Sequence, residues 1–247
     1  MTNARTARSA RERSAVLRAE AARREARRRS IVVTGVVAVV LAAVVGMFVL
    51  VQTLQRDAEP AGSATPSTGA NGAVTVGQAT APVTLVAYED FQCPACKQYE
   101  DANGAQLAGW LAKGQVKIEY HPIAFLDRAS TDDYSTRALN AAATVLDLAP
   151  AGYQRFHDAL YAEQPAEGGP GLSNERLLRL AVAAGAPEAQ AKADIDGLRF
   201  KAWTAKVTED ASKAGVNQTP TVLVDGKPPA DHSPAAVAAA VTAALAG

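Results

Sequence analysis

Asp90–Tyr99, DFQCPACKQY, holds the only two cysteines of the 247-residue chain, Cys93 and Cys96, with Pro94 and Ala95 between them. Ahead of it, Val83–Tyr88 reads VTLVAY, an apolar and β-branched run that suits a strand buried on both faces. Behind it, Cys96, Tyr99, Asn103, Leu107, Trp110 and Leu111 recur at spacings of three and four. That pattern predicts a helix with one apolar stripe, ending near Lys113 and Gly114. Pro94 suits the first helical position, where its fixed φ helps and its missing amide proton costs nothing. The cysteine pair is therefore expected where a strand hands over to a helix N-terminus.

That position carries chemistry. Unpaired amide protons and the positive end of the helix dipole stabilise an anion, so an exposed Cys93 is expected to be largely thiolate near neutral pH. Cys96, one turn further and on the apolar stripe, is expected to be shielded and to act as the resolving thiol. Three other readings of the pair fare worse. A disulfide closing a two-residue loop restricts the unfolded chain little. A zinc site needs further ligands, and His121, His157 and His232 are scattered without ligand spacing. Two unrelated buried cysteines would not explain the strand and helix around them. No metal and no cofactor are expected.

Basic and acidic residues balance at 25 each, but unevenly along the chain. Residues 1–30 hold ten Arg and three acids, whereas 14 basic and 22 acidic residues follow from Asp57 onward. Directly after the arginine-rich segment, Ile31–Val51 is an uncharged run of 21 residues. As a helix it would be ~31 Å long, matching the hydrocarbon core of a bilayer. We expect a transmembrane helix over 31–51 with residues 1–30 cytoplasmic and the remainder outside, by the positive-inside rule. The absence of a small-residue cleavage site over Gln52–Glu59 favours an uncleaved anchor over a signal peptide. An arginine-rich arm also suits nucleic acid, but its place beside the apolar run assigns it to topology, and no nucleic-acid partner is expected. Residues 52–73, rich in Pro, Gly, Ser and Thr around Glu59–Gly72, are expected as a flexible linker.

The remaining residues, 74–247, suffice for one domain. Val74–Val76 is expected as a short edge strand and Val116–Tyr120, VKIEY, as a second core strand. Strand, helix and strand at this separation imply parallel pairing. A helical insert is expected over about 128–214. Its helices are expected at Thr131–Leu148, Tyr153–Glu163, Asn174–Ala184 with Ser173 as cap, and Pro187–Ala214 broken at Gly197. His157, Phe200 and Trp203 within it read as packing residues. Thr221–Val224 followed by Asp225 and Gly226 predicts a strand and hairpin turn. Ser233 and Pro234 open a last helix with Val237, Val241 and Leu245 on its apolar face.

Taken together, Ala81–Glu100 (APVTLVAYEDFQCPACKQYE) and Gly215–Lys227 (GVNQTPTVLVDGK) resemble the thioredoxin fold in its bacterial, membrane-anchored DsbA-like form. This implies an α/β thioredoxin fold with a helical insertion, preceded by one N-terminal transmembrane helix. It also implies a cis bond before Pro220, with the Thr219 backbone offering strand-like hydrogen bonds to a substrate peptide beside Cys93. Pro94 and Ala95 sit where the family tunes its redox potential. Relatives carry a proton-relay carboxylate six residues before the first cysteine, but this chain has Ala87 there. Glu89 or Asp90 could substitute, although both read more simply as solvated or capping groups.

The function implied is an extracytoplasmic thiol:disulfide oxidoreductase with Cys93 as nucleophile and Cys96 resolving. Its implied partners are exported proteins with free cysteines, a quinone-linked membrane oxidase of the DsbB or VKOR type for recycling, and membrane lipid through 31–51. Two alternatives stay open: a membrane-tethered reductase or isomerase, as in cytochrome c maturation, and a non-catalytic thioredoxin-like binding module.

Overall fold

Four strands make one mixed sheet in this computed structural model, which describes residues 40–47, 62, 64–69 and 72–247. They are β1 (Val74–Val76), β2 (Val83–Glu89), β3 (Val116–Pro122) and β4 (Thr221–Val224), in the spatial order β1-β3-β2-β4. The expected parallel pair is present, with Val83 opposite Val116, Leu85 opposite Ile118 and Ala87 opposite Tyr120. β1 and β4 flank it antiparallel. β2 departs from the expectation of burial on both faces. Val83, Leu85, Ala87 and Glu89 are buried while Thr84, Val86 and Tyr88 are half-buried. On that half-buried side, Tyr88 lines a cavity of about 460 Å³ with His121, Lys206 and Val207.

Helix α1 (Pro94–Ala112) joins β2 to β3 and buries Cys96, Tyr99, Asn103 and Leu107 of the expected stripe, leaving Trp110 and Leu111 half-buried. The polar member of that stripe is satisfied: the Asn103 carboxamide donates to the Tyr99 carbonyl at 3.0 Å and the His232 carbonyl at 3.1 Å. Gly114, at φ 65°, ends the connection. After β3 come five helices: α2 (Tyr134–Leu148), α3 (Tyr153–Ala162), α4 (Asn174–Ala183), α5 (Glu188–Asp196) and α6 (Lys201–Lys213). α2 is the hub of this insert. It packs against the other four and buries nearly its whole length, because Ala138, Ala141, Ala142 and Ala143 let neighbours approach from several sides. The long helix expected from Pro187 is split at Gly197, and Leu198 takes a left-handed φ of 47° in the break.

The Asp225–Gly226 turn forms, both residues at positive φ, but only a single bridge from Val224 to Lys227 follows it. Asp225 is used instead to anchor β2, accepting the Thr84 amide at 2.8 Å. Ser233 caps α7 (Pro234–Ala246) by accepting the Ala236 amide.

Residues 60–247 form one compact unit. Within the stretch expected as linker, Ala64 and Ala73 are buried, and the Ala64 amide donates to the Arg199 carbonyl at 3.2 Å. Of the expected transmembrane run, residues 40–47 are helical with Val40, Leu41, Val44, Val45 and Met47 exposed. The rest of 31–51, and all of 1–30, lie outside the described residues. Among the described residues no helix is long and apolar enough to cross a membrane.

Two glycines give opposite expectations. A Cβ on Gly152 would lie 1.9 Å from the Ala184 carbonyl oxygen, so Gly152→Ala must push α4 off the start of α3. A Cβ on Gly109, inside α1, would meet nothing within 4 Å. Thermal or denaturant unfolding should therefore show Gly152→Ala destabilised by about 1–3 kcal/mol. Gly109→Ala should be stabilised by roughly 0.5–1 kcal/mol.

Candidate active site

The loop after β2 delivers Cys93 to the N-cap of α1, with φ −71° and ψ 118°, and Pro94 occupies the first turn as expected. The Cys93 amide closes the turn onto the Asp90 carbonyl at 2.9 Å. Both cysteines are free thiols. Cys96 is 0% exposed and Cys93 only 6%, so the expectation of an exposed nucleophile is corrected: a rim of sulfur faces a groove instead. That groove, about 560 Å³, is lined by Cys93, Phe125, Leu126, Val216 and Thr219, with Arg128 and Glu167 at its polar margin. Thr219 and Pro220, 126 and 127 residues on, come to the cysteine through β4. The Thr219–Pro220 bond is cis, and the Cys93 thiol donates to the Thr219 carbonyl at 3.3 Å.

The two thiols are electrically unlike. Cys93 is lowered to about 5, chiefly because the Cys96 S–H donates to it; burial opposes, and the Thr219 side chain and the amides of Cys96 and Ala95 add to the lowering. Cys96 is pushed far up by burial first, then by its neighbour Cys93, with the Glu89 charge adding and the Asp90 amide opposing. Ala95 thus contributes a backbone amide to the thiolate.

Glu89 and Asp90 correct the reading of solvated or capping groups, since both are at most 1% exposed. Asp90 accepts the Gln92 amide and the Ser135 hydroxyl on one oxygen, at 2.9 and 2.7 Å, and the Leu126 amide on the other at 2.9 Å. Burial nevertheless pushes it up to about 6. Glu89 sits 2.6 Å from Nε2 of His157, a residue 0% exposed. His157 was expected to be packing alone, and its pairing is a finding of the structure. Burial pulls its pKa down, but the Glu89 charge and hydrogen bonds to Asp158 and Glu89 override this and raise it to about 10. The signal for Glu89 was in the strand alternation, which places it on the buried side with Val83, Leu85 and Ala87. His157 had no local signal, its partner being 68 residues away.

Gln164, just beyond α3, was also missed. Its carboxamide nitrogen donates to the carbonyls of Phe91 at 3.0 Å and Cys93 at 2.9 Å, holding the cysteine loop from the insert side. Glu89, Glu100 and His157 bring ligand-type atoms within 4.8 Å of one another. Both imidazole nitrogens are engaged, Nε2 with Glu89 and Nδ1 with Asp158, so the ring offers no free ligand atom to that trio.

Comparison with known proteins places the family and the fold. The Thioredoxin_4 (thioredoxin) family model matches residues 70–243. The serine/threonine-protein kinase PknE of Mycobacterium tuberculosis is 31% identical over 164 residues, 62% of this chain but 28% of the kinase, so the chain spans little more than a quarter of that relative. Disulfide bond formation protein D of Bacillus subtilis is 27% identical over 161 residues, 63% of this chain and 69% of that protein. The oxidised crystal structure of Mycobacterium tuberculosis DsbA superposes with a TM-score of 0.61 at 33% identity, covering 71% of this chain and 93% of that one.

The unlike thiols give a direct test. Alkylation of the reduced protein by iodoacetamide should label Cys93 and leave Cys96, with a rate that rises with pH, is half-maximal near pH 5 and is flat above about pH 6. Because the folded pKa is depressed, the thiolate stabilises reduced protein above the ordinary thiol range, and that contribution is lost as pH falls through about 5. Preferential labelling of Cys96 would reverse the two roles.

Proposed function

Because the chain belongs to the Thioredoxin_4 (thioredoxin) family, whose model spans residues 70–243, we propose that it is an extracytoplasmic thiol:disulfide oxidoreductase that donates disulfides to exported proteins. The observation that carries this reading is the asymmetry of the CPAC pair. A groove-facing sulfur with pKa about 5 stands over a fully buried sulfur whose pKa is driven up. Support also comes from two of these relatives, disulfide bond formation protein D of Bacillus subtilis and DsbA of Mycobacterium tuberculosis, which are named for disulfide chemistry.

The cycle starts with the Cys93–Cys96 disulfide. A substrate thiolate attacks the Cys93 sulfur, a substrate–Cys93 disulfide forms, and the bond to Cys96 breaks, leaving Cys96 to take up a proton. A second substrate thiol loses its proton, attacks the first substrate sulfur and expels Cys93. Cys93 is a good leaving group because its thiolate is stable at neutral pH. The substrate has lost two electrons and the protein now holds one thiolate and one thiol. Phe125, Leu126 and Val216 supply apolar contact for the substrate, and the Thr219 peptide, beside Cys93, supplies strand-like hydrogen bonds. Pro220 sets the entry to β4, and Pro94 and Ala95 leave the potential to the helix terminus and to Cys96.

Stabilising the thiolate stabilises the reduced form, so each pKa unit of depression makes the disulfide more oxidising by about 30 mV. Return to the disulfide needs an acceptor, for which a quinone-linked membrane oxidase of the DsbB or VKOR type fits. The arginine-rich residues 1–30 and apolar 31–51 support a single-pass anchor with the domain outside, where disulfides persist.

Equilibrating the full chain against glutathione and counting alkylated thiols gives the potential. A value well above the about −270 mV of thioredoxin is expected, with a pH slope of about −30 mV per unit above pH 5 and about −60 mV below it, as Cys93 then takes up the second proton. A potential at or below thioredoxin's would make the protein a reductase instead. Cys96→Ser should accumulate substrate–Cys93 mixed disulfides, and their absence would leave only the binding-module reading.

A further inference from the structure

The groove at Cys93 is neutral where α6 and the turn beyond it supply Ser212, Asn217, Gln218 and Thr219. Its charged lining residues are Arg128 and Glu167, both exposed. They come from separate segments: the short helical turn Asp127–Ala129 after β3, and the loop that follows α3. Two backbone bonds tie these segments together. The Gly168 amide donates to the Ala129 carbonyl at 2.7 Å, and the Thr131 amide to the Gly169 carbonyl at 3.0 Å. Arg128 and Glu167 each directly precede a member of the first bond, which brings opposite charges to one margin of the groove.

That margin is fixed in place. Gly171 takes a φ of 74°, and a Cβ there would lie 2.3 Å from the Tyr134 ring, so the loop packs closely on the start of α2. Arg137, only 8% exposed, donates to the carbonyls of Asp132 at 2.7 Å, Leu172 at 2.7 Å and Pro170, and so holds both segments at once. At the other end of the loop, Gln164 donates to the carbonyls of Phe91 and Cys93. The segment that carries Glu167 is thus tied to the nucleophile on one side and to α2 on the other. Among the described residues, the side chains of Arg128 and Glu167 have no hydrogen-bond or ion-pair partner, whereas Arg176 pairs with Glu163 and Lys97 with Asp101.

We propose that Arg128 and Glu167 are specificity residues that read the charges flanking the substrate cysteine, favouring exported chains with an acid on one side of it and a base on the other. The proposal rests on the disulfide-donor reading above and names the substrate class for the same groove. In an extended peptide the residues before and after the cysteine point to the same face, so one margin of the groove can meet both. Hydrogen bonds to the Thr219 peptide set the direction in which the substrate runs. One order of charges then meets attraction at both positions and the reverse order meets repulsion. The step favoured is the first attack: the substrate thiolate bonds to the Cys93 sulfur, the Cys93–Cys96 bond breaks, and Cys96 leaves with the electron pair. Arg128 and Glu167 hold the peptide for that attack and exchange no proton or electron with it.

The test reduces the oxidised full chain with two blocked pentapeptides of identical composition, one with Glu before the cysteine and Lys after it, the other with the two exchanged. Each rate is divided by the same peptide's rate with glutathione disulfide, which removes differences in thiol acidity. One order should react about tenfold faster at low ionic strength, and the ratio should shrink toward one in about 0.5 M salt. Reversing both charges, Arg128→Glu with Glu167→Arg, should invert the preferred order, an outcome that misfolding could not produce. Arg128→Gln and Glu167→Gln alone should each cut the ratio to about threefold. A ratio below about twofold in the unaltered chain, or a preference that survives charge reversal, overturns the proposal. Reduction of the chain by both peptides no faster than that of glutathione disulfide would instead remove the disulfide-donor reading, and the proposal with it.

Discussion

A single buried carboxylate holds the two halves of this molecule in register. Asp90 lies between β2 and the cysteine loop, and it draws donors from three places: the loop itself through Gln92, the segment after β3 through Leu126, and the first turn of α2 through Ser135. Without those bonds the position of Cys93 over the groove would rest on apolar packing, which is not directional. Burial raises the Asp90 pKa to about 6, so by linkage the folded state loses stability as pH climbs from the usual carboxylate range to about 6. The donors act against that cost, and they are also what fixes the loop.

The thioredoxin half was largely legible because its signals are local. A β-branched run, a Pro at the first helical position and a three-four stripe lie within 30 residues of one another, and the structure builds β2 and α1 from them almost as read. The helices of the insert were legible as helices for the same reason, since Ser173, Gly197 and the small residues of α2 act on their own neighbourhood. What escaped were charges and amides whose partners are remote. Glu89 looked like a strand-end group, His157 like a packed ring and Gln164 like loop, because no spacing in the chain brings residues 68 or 71 apart together. Burial on one side of β2 instead of both was hidden for a related reason: the run VTLVAY specifies apolar content, but the cavity at Tyr88 depends on how α6 is laid across it.

The insert is therefore more than a lid. α3 and the residue pair after it put an imidazole against the buried Glu89 carboxylate and a carboxamide on the backbone of the nucleophile, while α6 and the turn beyond it form one wall of the groove. A buried ion pair of this kind seldom adds net stability over apolar packing.

A cavity of about 260 Å³ between α1 and α3 shares no lining residue with the groove at Cys93. A small molecule seated between α1 and α3 would touch Glu100, Gln154 and Asp158, and would meet neither Cys93 nor Thr219. Any effect it had on the cysteines would have to pass through the cysteine helix itself, because the groove would stay open to a peptide.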